Sequence, residues 1–198
     1  MTTEPLVLGF DTSAAHCAAA LLRGDSVLAE ALEPMTRGQA ERLMPLLEEV
    51  LKAAGVTWAE LDAVGVGVGP GNFTGIRIAV SAARGLALGL GVPAIGVDGF
   101  EARTAKGSLP AIPAPRDQVY AALPGEAPRL MARQEAEVAA RGAGLTFAPE
   151  ASPAGMAAAI ARIASSRMDA PTALPAPLYL RAADAAPSRD VPPQLIDG

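Results

Sequence analysis

Between Val64 and Val97 the chain reads VGVGVGPGNFTGIRIAVSAARGLALGLGVPAIGV, and no other stretch constrains its fold as much. Val64, Val66 and Val68 alternate with Gly65, Gly67 and Gly69, which predicts a buried strand with branched side chains on one face and a flat opposite face. Glycine weakens a strand and is kept where backbone or ligand must come close. Pro70-Gly71 predicts a turn, and Asn72 or Thr74 is placed to cap a helix over residues 74–90. That helix carries Ala79, Ala82, Ala83, Gly85, Ala87 and Gly89, a surface that another helix can approach closely. A second buried strand follows at 94–97. The turn is not a common phosphate loop. A Walker loop requires Lys-Ser or Lys-Thr after its last glycine, where Ile76 and Arg77 stand, and a dinucleotide fingerprint requires glycine where Asn72 sits.

Upstream, strands are expected at 6–10, 18–22 and 27–32, the last two joined through Gly24-Asp25. A helix over 40–54 follows, with Leu43, Leu47, Val50 and Ala54 in one stripe and Ala40, Met44 and Leu51 beside it. Gly55 closes this helix, and Pro45 costs it one hydrogen bond unless it lies in the first turn. The order β-β-β-α-β-α-β predicts a mixed sheet with helices over it, an α/β class. After Asp98 the character changes. Pro110, Pro113, Pro115, Pro124 and Pro128 surround one expected strand near 118–123. Helices are expected at 134–141 and at 153–165, the second capped by Ser152. Two lobes result, residues 1–100 and a smaller 101–184, with a Pro-rich mobile tail at 185–198.

Composition narrows the function. The net charge is −5 and the pI about 4.9, poorly suited to gripping a nucleic-acid backbone, so any link to a nucleic acid is expected to run through a partner. The single cysteine, Cys17, excludes an internal disulfide and suits a reducing cytoplasm. No secretory signal is legible, and the apolar run from Gly85 to Val97 falls short of the ~20 residues of a spanning helix, so no membrane role is expected. His16 and Cys17 are the only imidazole and thiol, and as strand neighbours they point to opposite faces. No metal site is expected from them, nor a Ser-His-Asp triad, which needs its histidine bonded to both partners. His16 reads as a structural or surface residue. Asp11, Thr12 and Ser13 admit two readings: a phosphate-contacting hairpin, or an Asx turn in which Asp11 bonds its own backbone.

Leu6-Val7-Leu8-Gly9-Phe10-Asp11-Thr12-Ser13, GPGNFTGIR from Gly69 to Arg77, Gly91 to Val97, and Pro177-Leu178-Tyr179-Leu180-Arg181 stand in the order of the TsaB (YeaZ) family, which this chain resembles. That family comprises bacterial proteins required for threonylcarbamoyladenosine formation on tRNA. The resemblance is dense over the first half and thereafter rests on Tyr120 and the 177–181 string; GPGxFTGxR is its specific motif. It implies an actin-like, ribonuclease-H-like fold with a reduced second lobe. It also implies a non-catalytic subunit that binds the transferase TsaD, helps recruit the ATPase TsaE with its ATP, and forms a homodimer when alone. The implied interface joins the two early helices, through Leu43, Met44, Leu47 and Leu51 on one and Thr74, Arg77, Ile78, Ala79, Ala82 and Ala83 on the other. Asp11, Thr12 and Ser13 then mark a vestigial nucleotide or phosphate site, with no cofactor beyond weak nucleotide binding at the lobe or subunit junction. The rival is a small actin-like ATPase or sugar-kinase-like enzyme using Asp11 and Thr12; a free-standing homodimeric scaffold is a third reading. Against the family pattern, Gln39 replaces a histidine, Pro113-Ala114-Pro115-Arg116 replaces an Asp-Ala-Arg-Arg entry, and the link between Leu123 and Ser152 is short.

Overall fold

The computed structural model describes residues 4–148, 153–170 and 173–180. Alternating branched and small residues build a first sheet from β1 (Leu6–Asp11), β2 (His16–Arg23), β3 (Ser26–Pro34), β4 (Ala63–Gly67) and β5 (Ala94–Val97), in the order β3-β2-β1-β4-β5. β1, β2 and β3 pair antiparallel, while β4 and β5 run parallel to β1. The register sets Gly9 beside Gly65 and Phe10 beside Val66, so large residues share one face and glycines the other.

The large face packs Leu8, Phe10, Val64 and Val66 against α1 (Gln39–Ala53) and α2 (Phe73–Leu90). The flat face receives α4 (Pro153–Ser165). A Cβ at Gly9 would come 2.5 Å from the Ala157 carbonyl oxygen, and one at Gly65 would come 2.8 Å from Ala164 Cβ. The close approach foreseen at Gly65 is therefore that of a helix backbone, whose small Ala157, Ala161 and Ala164 complete the fit at Gly65 and Gly9 alike.

Local chemistry sets the helix ends. The Asn72 side chain accepts from the Gly75 N–H at 2.8 Å and starts α2 one residue earlier than expected; Gly91, at φ +73°, ends it. In α1, Pro45 lies beyond the first turn on the exposed side, so the lost bond falls at the solvent face. Arg42 holds this helix to β3 through Glu33 at 2.7 Å and reaches Glu49 at 2.6 Å, which keeps both carboxyls below their usual range. α2 is long and apolar enough to cross a membrane by length and composition, at 18 residues and mean hydropathy 1.3; here Ile76, Ala79, Val80, Ala83 and Ala87 are buried in the first core.

A second sheet has the order β8-β7-β6-β9, built from β6 (Ser108–Ala114), β7 (Gln118–Ala121), β8 (Arg129–Ala132) and β9 (Thr146–Ala148), with α3 (Arg133–Gly142) packed on it. The single strand expected at 118–123 is thus one of four. β6 was hidden by Pro110 and Pro113, which argue against an inner strand. The stagger of the sheet resolves this: residues 108–110 pair only with β9 and 111–114 only with β7, leaving each proline a side free of ladder bonds.

Every strand of the first sheet lies within residues 6–97, and every described strand of the second within 108–148. α4 lies within 101–184, yet it covers the first sheet, and residues 175–179 also return to the first sheet and α2. The fit is one of complementarity, since the small Ala157, Ala161 and Ala164 of α4 meet the glycine face closely. Ser152 and the tail at 185–198 lie outside the described residues.

Candidate functional site

The turn between β1 and β2 brings Asp11, Thr12 and Ser13 together, fully enclosed, beneath the N-terminus of α2. Asp11 Oδ2 accepts from the Ser13 N–H at 3.1 Å and from the Ser13 hydroxyl at 2.9 Å, and His16 Nε2 lies 2.8 Å from the same oxygen. Thr12 donates its hydroxyl to the Gly75 carbonyl at 2.7 Å, and the Asn72 N–H donates to the Ser13 carbonyl at 2.6 Å. The glycines of the motif make this fit sterically possible. A Cβ at Gly75 would overlap the Thr12 carbonyl oxygen, one at Gly71 that of Ser13, and one at Gly67 would overlap Asp11 Oδ1. The Ser13 N–H bond to Asp11 Oδ2 closes an Asx turn, with His16 buried beside it. Among the described residues no group of three or more His, Cys, Asp or Glu side chains converges on one point.

Beside the hairpin, Asp98 Oδ1 accepts from the N–H groups of Phe100 (2.8 Å) and Glu101 (2.9 Å), capping a short turn of 3-10 helix at Glu101–Arg103. Arg103 Nη1 donates to the Gly99 carbonyl at 3.0 Å and lies 3.2 Å from Met156 Sδ, while its buried Nε has no partner. Burial pulls the Arg103 pKa down against the opposing field of Asp11. No motif announces Arg103 in sequence. Glu101 in turn pairs with Arg167 at 2.6 Å, which draws its carboxyl below the usual range.

The outward side of α1 and α2 forms a groove of about 500 Å³, lined by Ala40, Leu43 and Met44 from one helix and by Phe73, Thr74, Arg77, Ile78, Ser81 and Ala82 from the other. Met44 and Phe73 are each 37% exposed. Six of the ten residues expected at an interface line this groove: Leu43, Met44, Thr74, Arg77, Ile78 and Ala82. The other four, Leu47, Leu51, Ala79 and Ala83, lie in the first core and do not line the groove; Leu43, 1% exposed, belongs to that core as well. Helical periodicity explains the split, because Ile76, Ala79, Val80 and Ala83 fall on the stripe facing the sheet and Ile78 and Ala82 on the next one.

One contributor escaped the reading of the sequence. Residues 173–180 run back over the start of α2, where Tyr179 stacks on Phe73 with centroids 4.9 Å apart. The Arg77 guanidinium lies 3.9 Å from the Phe73 ring centroid and donates from Nε to the Tyr179 hydroxyl at 2.8 Å. The Pro177–Arg181 string was the available signal, although nothing in it names Phe73 and Arg77 as its partners; Arg181 lies outside the described residues.

Comparison with known proteins agrees with this architecture. Residues 27–141, more than half of the chain, match the family model described as TsaD, tRNA N6-adenosine threonylcarbamoyltransferase. The protein named tRNA threonylcarbamoyladenosine biosynthesis protein TsaB in Escherichia coli is 37% identical over 91 residues, 46% of this chain and 39% of that protein. Its namesake in Bacillus subtilis is 34% identical over 123 residues, 59% of this chain and 54% of that one. The chain thus spans about half the length, or less, of these relatives. The solved structure of YeaZ from Pseudomonas aeruginosa superposes with a TM-score of 0.66 at 26% identity, covering 89% of this chain and 100% of the other. On this evidence the chain belongs to the TsaB (YeaZ) family, within the wider family that the TsaD model describes.

Proposed function

We propose that this protein is a non-catalytic subunit of the cytoplasmic machinery that makes threonylcarbamoyladenosine on tRNA. The α1–α2 face docks the transferase TsaD, helps build the surface that recruits TsaE with its ATP, and pairs with a second copy when TsaD is absent. tRNA is met only through these partners, as the acidic balance of the chain favours. The observation that carries the reading is the set of hydrogen bonds holding the Asp11–Ser13 hairpin to itself and to α2. A carboxylate oxygen that already takes three contacts, beside a threonine hydroxyl committed to a backbone carbonyl, is poorly placed to hold a metal–phosphate group. This weighs against the rival ATPase or sugar-kinase reading through Asp11. The exposed Met44, Phe73 and Arg77 along the groove are residue types enriched at protein interfaces.

The test combines turnover with association. The purified chain is incubated with ATP, and separately titrated with TsaD in a calorimeter. Binding of TsaD with no appreciable ATP turnover is expected. Turnover on the order of 1 s⁻¹, abolished by Asp11→Ala, overturns the reading in favour of the kinase-like one.

A further inference from the structure

Arg77 and Arg84 lie two helical turns apart on α2, and both donate to the C-terminal segment: Arg77 to the Tyr179 hydroxyl and Arg84 Nε to the Pro175 carbonyl at 2.7 Å. The same segment is bound to the end of β4, where the Leu178 N–H donates to the Val68 carbonyl at 2.8 Å. Its passage lies close over two glycines. A Cβ at Gly69 would come 3.1 Å from the Leu178 carbonyl oxygen, and one at Gly96 would come 3.5 Å from Pro175 Cα. Phe73 and Arg77, the residues that Tyr179 holds, also form one wall of the groove. An exposed phenylalanine and arginine without such a partner would sample many rotamers, and ordering them would oppose docking.

We propose that Tyr179 and Arg84 are positioning residues: residues 173–180 form a strap that fixes the Phe73–Arg77 wall in the shape a partner meets. The inference rests on the reading that TsaD docks at this groove, and it assigns the strap a part in that affinity. Arg84 separates positioning from direct contact. It anchors the strap at Pro175 and lines no part of the groove, so a partner that merely touched Tyr179 would be indifferent to Arg84.

The experiment uses the full chain with Tyr179→Ala, Tyr179→Phe, Arg84→Ala and, as a groove control, Ala82→Arg. Hydrogen exchange of the amides at 72–77 is measured on each variant alone, and the Kd for TsaD by calorimetry. Tyr179→Ala and Arg84→Ala are expected to speed exchange and to raise Kd about tenfold, whereas Tyr179→Phe, which keeps the ring stack, stays within about threefold. Unchanged exchange in both alanine variants overturns the strap, as does faster exchange with unchanged Kd. A loss confined to Tyr179→Ala overturns positioning in favour of direct contact. If Ala82→Arg binds TsaD normally, the docking reading fails, and exchange alone then decides whether the strap orders the wall.

Discussion

At the scale of single residues, burial and local hydrogen bonds shape the chemistry of groups that look reactive on paper. Thr12 and Asp11 were candidates for phosphate contact; Asp11 Oδ2 accepts from Ser13 within the hairpin, while Thr12 donates its hydroxyl across to the Gly75 carbonyl of α2. Cys17 follows the same rule. Burial beneath α1, with a further contribution from Glu33, pushes its thiol from 9.0 up to about 11, so the neutral form prevails at physiological pH. A folded pKa raised above the unfolded one stabilises the native state fully below the unfolded value. That contribution is then lost as pH climbs through the interval toward about 11. Native protein at pH 8 is therefore expected to resist iodoacetamide, with labelling only after denaturation, and Cys17→Ala should flatten the alkaline decline of stability. Rapid labelling of the native protein at pH 8 would refute this account.

Among elements, α2 shows how one helix serves two surfaces. Ala83 lies wholly within the core while Ala82, its neighbour, lines the groove. A 100° step between consecutive residues is enough to divide them. Ala83→Arg is expected to destabilise by at least about 3 kcal/mol, since it forces an unpaired charge and a long chain into a packed interior. Ala82→Arg keeps the fold, because its guanidinium reaches solvent along the groove, but it abolishes association with TsaD. Circular dichroism melts and sedimentation velocity measure the two effects. Equal melting temperatures for the two variants would show that the helix face has been misassigned.

For the molecule as a whole, a helix late in the chain completes the first core. The face of Val7, Ala18, Ala20 and Leu22 is covered by Met156, Ala157, Ile160, Ala161 and Ala164 from α4, which comes after the whole second sheet. A chain ending at residue 148 retains every strand of both sheets and loses that cover. It is expected to be insoluble, or to lack a cooperative thermal transition, because one complete face of the first sheet is left apolar and unburied. A cooperative melt close to that of the full chain would instead establish the first sheet as an independent unit.

The elements of the first half were legible in the sequence: the strand and helix order, the Asn72 cap and the glycine face at Gly65 all follow from local pattern and near-neighbour sterics. Of the interface residues implied by the resemblance, Thr74, Arg77, Ile78 and Ala82 line the groove, while Ala79 and Ala83 lie in the first core. β6 was obscured because a proline is tolerated or not according to which neighbour pairs at that position, and pairing is a property of the assembled sheet. Only tertiary structure could decide that α4 meets Gly9 and Gly65, that Tyr179 seats on Phe73 and Arg77, and that Asp11 is enclosed by His16 and Gly67. Those contacts join residues far apart in the chain, and their energy depends on shape and distance, which composition and spacing do not encode.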